Sequence, residues 1–169
     1  MTPLEFLHQI LDPGLELLTG LGGPAVSDAA RQFLLCVALQ ESGPKLEARY
    51  QNSPSASAGS ARGWWQFEQG GGVRGVMSHP ASSALARQLC GACYVQWNEA
   101  AIWRALEGHD MLSAGFGRLL LYTDPHPIPT LQHPAWICYA DRLWRPGKPH
   151  PDVWPGNWST AHRTISPVA

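Results

Sequence analysis

The sequence predicts an all-α domain with long Gly- and Pro-rich loops and little or no β-sheet. Three observations point there. Apolar residues recur at helical spacing, as in Ala30, Leu34 and Val37. Helix start and stop signals alternate along the chain, with capping residues before apolar segments and Gly or Pro after them. The period-two alternation of a half-buried strand is nearly absent. The chain has 169 residues, enough for one domain with a sizeable core, and a chain of this size buries roughly 70% of its unfolded surface.

The elements follow in order. Thr2-Pro3-Leu4-Glu5 reads as a capping box with Pro at the first helical position. Phe6, Leu7, Ile10 and Leu11 give that helix its apolar side, and Asp12-Pro13-Gly14 reads as its stop. Leu15 to Thr19 adds one more turn before the glycines at 20, 22 and 23. Ser27 is a good N-cap for a helix running to about Glu41, ended by Gly43-Pro44. Residues 43–62 carry no clean periodicity and read as a long loop with a helical turn around Lys45 to Tyr50; loops this long in compact domains are often functional. Gly70-Gly71-Gly72-Val73-Arg74-Gly75 fits G-x-G-x-x-G, but the strand and βαβ unit of a dinucleotide site are missing. These glycines instead let the backbone turn beside a ligand or another helix.

Further helices are expected over Pro80 to Leu89 and over Asn98 to Leu106, the latter with Ile102, Ala105 and Leu106 on one side. Asp110 can cap Met111 to Tyr122, whose Leu112, Phe116, Leu119, Leu120 and Leu121 mark the central helix of the core. Asp124 to Pro129 is a rigid extended loop, since each X-Pro step disfavours helix. Pro134 to Trp144 forms a helix with Trp136, Tyr139, Ala140 and Leu143 facing in, and Arg145 to Pro149 breaks it. Asn157 caps one last short helix in a tail carrying Trp154 and Trp158.

Bulk composition narrows the functional classes. The net charge of −1 lacks the basic excess of a nucleic-acid-binding footprint. No apolar run approaches the roughly 20 residues that span a bilayer, so no integral membrane association is expected. Met1 to Glu5 lacks the basic region of a signal peptide. Cys36 and Cys138 fall inside expected helices as buried thiols. Cys90 and Cys93 have a C-x-x-C spacing but lack the βαβ context of a redox motif and the second ligand pair of a zinc site. The seven histidines form no ligand spacing, so no metal and no cofactor is expected. Eight tryptophans serve packing for the most part, with the remainder free to stack on sugar rings.

The most chemically informative residue is Glu41. It closes the stripe Ala30, Leu34, Val37, Glu41, which is i, i+4, i+7, i+11 on one helix face. A carboxyl group at the end of an apolar stripe is partly desolvated, so its pKa rises and it can act as a proton donor near neutral pH. Acids at helix C-termini are also disfavoured by the dipole, so this position asks for a reason. After the long loop comes Gly63-Trp64-Trp65-Gln66-Phe67, with aromatic faces and an amide. Arg62 precedes it and can pair with Glu41 or contact a substrate carboxylate. Glu68 and Asp124 are candidate second carboxylates, each with a plain surface or capping role as the alternative.

Glu41-Ser42 at a helix end, then the loop, then Arg62-Gly63-Trp64-Trp65-Gln66 resembles the lysozyme-like superfamily, in particular lytic transglycosylases and goose-type lysozymes. Transglycosylases usually show Gly-Leu-Met-Gln at the second position, where this chain has tryptophans. Of a third family element, Ala-Tyr-Asn-Ala-Gly, only the Tyr is kept, as Tyr122 in Leu121-Tyr122-Thr123-Asp124. The resemblance implies a lysozyme-like helical domain over 1–169, with an N-terminal helical extension (1–26), a catalytic core (27–124) and a Pro/Trp-rich helical part (125–169). It also implies cleavage of peptidoglycan glycan strands between N-acetylmuramic acid and N-acetylglucosamine. Glu41 would then be the acid, Ser42 would bond near it, Trp64 would face the glycan, Gln66 would contact an acetamido group or position Glu41, and Tyr122 would place a hydroxyl at the cleft.

A hydrolase commonly uses a second carboxylate, at roughly 5–5.5 Å for retention or 6.5–9.5 Å for inversion; a transglycosylase needs only one. A monomer is expected, made in the cytoplasm and reaching the wall through phage release or within a virion. The rival readings are a lysozyme-shaped glycan-binding or virion module that has lost its chemistry, and a chitinase-like glycosidase.

Overall fold

A computed structural model describes residues 1–47 and 61–166. The fold is mainly helical, in agreement with the expected class. The turn expected around Lys45 to Tyr50 falls largely outside the described residues; of it, Leu46 closes a turn onto the Gly43 carbonyl.

The chain opens with α1 (Pro3–Phe6), capped by Thr2 and Glu5 in the reciprocal box that the sequence predicts. It does not stop at Asp12-Pro13-Gly14. A π-helical turn, Leu7–Leu11, leads straight into α2 (Asp12–Gly20). The wider turn accommodates Pro13, which would otherwise clash with the carbonyl four residues back. Gly14 has no turn function either: a Cβ placed there would sit 2.4 Å from the Ala114 Cβ. The glycine is what lets α2 lie against the helix that carries Ala114. The segment sends Phe6, Leu7, Ile10, Leu11, Leu15 and Leu18 into the core.

Helix α3 (Asp28–Ser42) starts at the expected cap, Ser27, whose hydroxyl accepts from the Ala30 amide at 3.2 Å. Its buried surface is wider than one stripe. Every residue from Phe33 to Leu39 is buried, so α3 is a central helix covered on all sides rather than an amphipathic one. Helix α7 (Asp110–Tyr122) is the second buried helix, sealed from Leu112 to Leu121. Its cap is His109, which accepts from the Leu112 amide; Asp110 is the first helical residue and accepts instead from the Trp64 indole.

Between α3 and α7 a small hairpin appears that the sequence did not announce. Strand β1 (Ala61–Arg62) pairs antiparallel with β2 (Phe67–Glu68), in register Ala61 with Glu68. Two-residue strands are too short to show a period. A π-helical turn (Gln69–Val73) and α4 (Arg74–Ser78) follow, and Gly72 presses its backbone onto the Phe67 ring, where a Cβ would come within 2.5 Å of a ring carbon. Helix α5 (Ser83–Ala92) begins later than expected, because Pro80 to Ser82 form a turn. Helix α6 (Glu99–Ala105) is capped by Asn98, which the sequence reading placed inside the helix.

The proline loop after Asp124 is followed by α8 (Gln132–Ile137), a π-helical segment (Cys138–Leu143) and α9 (Trp154–Ile165). Asn157 does not cap α9. It lies inside the helix and donates to Gln40 Oε1 at 2.8 Å, while Gln40 donates to the His150 carbonyl at 3.0 Å. These bonds clamp the C-terminal part onto the end of α3. One hydrophobic cluster runs from Phe6 to Ala161. All four cysteines are free and buried. No helix among the described residues is long and apolar enough to cross a membrane.

Candidate functional site

Glu41 stands in the last turn of α3, next to the Gln40 clamp. It is half-buried, so part of its surface still meets solvent. Burial pushes its carboxyl up from 4.5 to about 7, the direction its place on the stripe predicts. One hydrogen bond opposes that rise: the Tyr139 hydroxyl donates to Glu41 Oε1 at 2.7 Å. Tyr139 is itself buried and its phenol is pushed far up, by burial first and by Glu41 next, so it remains a donor. The result is a carboxylic acid close to half-protonated at neutral pH, with one oxygen held and the other available.

Tyr139 is the partner of Glu41 that sequence reasoning missed. Its inward position was expected, its partner was not. It comes from the C-terminal π-helical segment, 98 positions from Glu41. Its ring stacks on Trp154 at 5.0 Å and 12° and lies 5.6 Å from Trp136 and 6.3 Å from Trp144. This aromatic wall fixes the phenol. A buried tyrosine needs a partner for its hydroxyl, and that was the signal available.

The hairpin loop is tied to the residue that follows the acid. Ser42 Oγ donates to the Trp64 carbonyl at 2.7 Å, so Ser42 serves the backbone of the Trp turn rather than Glu41 itself. Gly63, at φ 75°, lies so close to Leu106 and Ser113 that only glycine fits, and Gln66 takes the left-handed conformation at φ 47°. The Gln66 amide nitrogen donates to the Gly63 carbonyl at 2.9 Å and braces its own loop.

The tryptophans differ most from expectation. Trp64 is 3% exposed, bonds Asp110 at 2.9 Å and meets Phe6 edge-on at 5.3 Å. Trp65 is fully buried, donates to the Leu34 carbonyl and covers Gly117 of α7. Neither offers a face to a glycan. The half-buried Trp136 and Trp144, beside Tyr139, are the partly accessible indoles on that side, and Trp144 donates to the Trp65 carbonyl at 3.0 Å.

Arg62 is buried, lies 4.3 Å over the Trp103 ring and pairs with Glu107 at 2.9 Å, not with Glu41. Glu68 is exposed on β2. Asp124 is committed elsewhere. Burial alone would raise its pKa, but bonds from His126, Arg142 and Cys138 outweigh that and hold it at about 2. It is an anion engaged within the fold by Arg142, His126 and Cys138. Tyr122 is 43% exposed, and the Arg118 guanidinium lies 5.8 Å from its ring; no hydrogen bond among the described residues joins it to Glu41.

A concavity of about 340 Å³ lies at the proline loop, between His126, Ile128, Leu131 and Arg142, and neither Glu41 nor Tyr139 lines it. No group of three His, Cys, Asp or Glu among the described residues is placed to hold a metal. No family model, curated protein or solved structure matches the chain.

Proposed function

We propose that the chain is a peptidoglycan-cleaving glycosidase of lysozyme-like type with Glu41 as its general acid. The observation that carries this reading is the half-buried Glu41 carboxyl, raised to about 7 and held at one oxygen by Tyr139. Its free oxygen would deliver a proton to the oxygen linking N-acetylmuramic acid to N-acetylglucosamine. The C–O bond then breaks toward an oxocarbenium-like sugar, and the Tyr139 donor stabilises the carboxylate left behind.

The commitment of Asp124 to Arg142 and of Asp110 to Trp64 supports a route with one carboxylate. In that route the sugar's own 6-hydroxyl attacks C1 and gives its proton back to Glu41, leaving a 1,6-anhydro product. Attack by water, as in a muramidase, leaves a reducing end.

A zymogram on purified wall tests the reading. Wild type clears the gel and Glu41→Gln does not, with unchanged helical circular dichroism. Equal clearing by both variants overturns the role of Glu41. Mass spectrometry of the products separates the two routes, and turnover of chitin but not of wall identifies a chitinase-like enzyme.

A second reading, a lysozyme-shaped glycan-binding or virion module without activity, draws support from Trp64, Trp65 and Gln66, all engaged within the fold. No clearing by wild type, with retention on wall, favours it.

A further inference from the structure

Arg118 is the one deeply buried arginine among the described residues with no anionic partner. Arg31, Arg74 and Arg142 are each matched to a carboxylate, and Arg74 shows the side-on fork, with Nε and an Nη each 2.9 Å from a Glu99 oxygen. Arg62, buried to a similar degree, has both Glu107 and the Trp103 face. Arg118 is 5% exposed, and no hydrogen bond or ion pair to it occurs among the described residues. Its Nε is sealed from solvent without a partner. The ring of Tyr122, one helical turn on and 43% exposed, has its centre 5.8 Å from the guanidinium.

A buried cation without a counter-charge is costly, and apolar residues of similar volume in place of buried charges are often neutral or stabilising. The last turn of α7 offsets some of this cost, since its carbonyls favour positive charge. The rest has no compensation within the described chain. A planar guanidinium suits an oxyanion with two acceptor oxygens, and the accessible Tyr122 phenol adds a donor beside it.

We propose that Arg118 and Tyr122 form an oxyanion-binding site, which takes a carboxylate or phosphate group of a ligand. It does not depend on the proposed cleavage.

The test is thermal unfolding of the full chain in chloride buffer, then with millimolar inorganic phosphate or acetate at matched ionic strength. Wild type, Arg118→Met and the control Arg74→Gln are compared. Wild type and the control gain about 3 °C with the preferred anion in excess, whereas Arg118→Met unfolds at one temperature throughout. A response to phosphate alone assigns a phosphate group, and a response to acetate alone assigns a carboxylate. No response in wild type, or an equal gain in Arg118→Met, overturns the proposal. Should that variant fail to fold, nitrogen NMR of the arginine Nε signals in wild type decides. The Arg118 signal shifts on adding phosphate or acetate more than those of Arg31 and Arg74; its staying fixed with both anions overturns the site.

Discussion

The Tyr139 hydroxyl donates to Glu41 Oε1 at 2.7 Å, joining the end of α3 to the C-terminal aromatic wall. The bond favours the ionised acid, while burial favours the neutral one, and burial wins. Tyr139→Phe removes the opposing hydrogen bond and keeps the ring on Trp154. The Glu41 pKa therefore rises above its wild-type value. Carbon NMR of the Glu41 carboxyl should record the higher midpoint, and the alkaline limb of wall cleavage should move the same way. A lower midpoint would show that the phenol does not stabilise the anion. The lost bond costs about 1 kcal/mol of stability.

The raised acid also ties stability to pH. A group with a folded-state pKa of about 7 against an ordinary 4.5 binds its proton more tightly in the folded chain. Its contribution is complete below 4.5 and disappears as pH rises through about 7. Glu41→Gln carries no charge to bury, so its advantage over wild type grows across that window and levels off above it. The full shift corresponds to at most about 3 kcal/mol, and remaining solvent contact brings the expected gain to about 1–2 kcal/mol. Denaturant unfolding at pH 5 and pH 8 measures it. Cleavage by wild type declines over the same range, as the acid loses its proton.

Asp124 behaves in the opposite sense. Its carboxyl is held at about 2 against an ordinary 3.8, so its contribution is present above 3.8 and disappears as pH falls through about 2. The side chain is 3% exposed and meets Arg142 at 2.6 Å. Asp124→Asn should cost about 1–3 kcal/mol, because Arg142 keeps some solvent when its partner is removed. The pH profile of cleavage should stay in place. A displaced profile would bring Asp124 into the chemistry after all.

What could be read from the sequence was local. Thr2 with Glu5 and Ser27 cap helices through bonds to residues within three positions, so their signatures are complete in short windows. Glu41 was legible because an acid on an apolar stripe is a local anomaly. Its partner was not, since the pairing with Tyr139 is made by the packing of α3 against the C-terminal segments. The double tryptophan failed as a sugar platform for a related reason. An indole reads the same in sequence whether it meets Phe6, Leu34 or a ligand, and only the fold shows that Asp110 and the Leu34 carbonyl take both N–H groups.

Gly14 gives the sharpest case, and a test. Beside Asp12-Pro13 it signals a helix stop, yet the chain passes through it in helical form because its missing side chain admits Ala114 of α7. A Cβ at position 14 would lie 2.4 Å from the Ala114 Cβ and 3.2 Å from the Met111 carbonyl oxygen. Helix propensity alone makes Gly14→Ala favourable by about 1 kcal/mol. Overpacking of a buried contact costs about 1–3 kcal/mol, so destabilisation wins. The double variant Gly14→Ala with Ala114→Gly restores the space next to the carbon that moved. It should recover part of the loss, but not all, since Met111 still crowds the new methyl group and a glycine now sits inside α7. Unfolding of both single variants and the double gives a coupling energy; additive effects would mean that α2 and α7 do not meet at this contact.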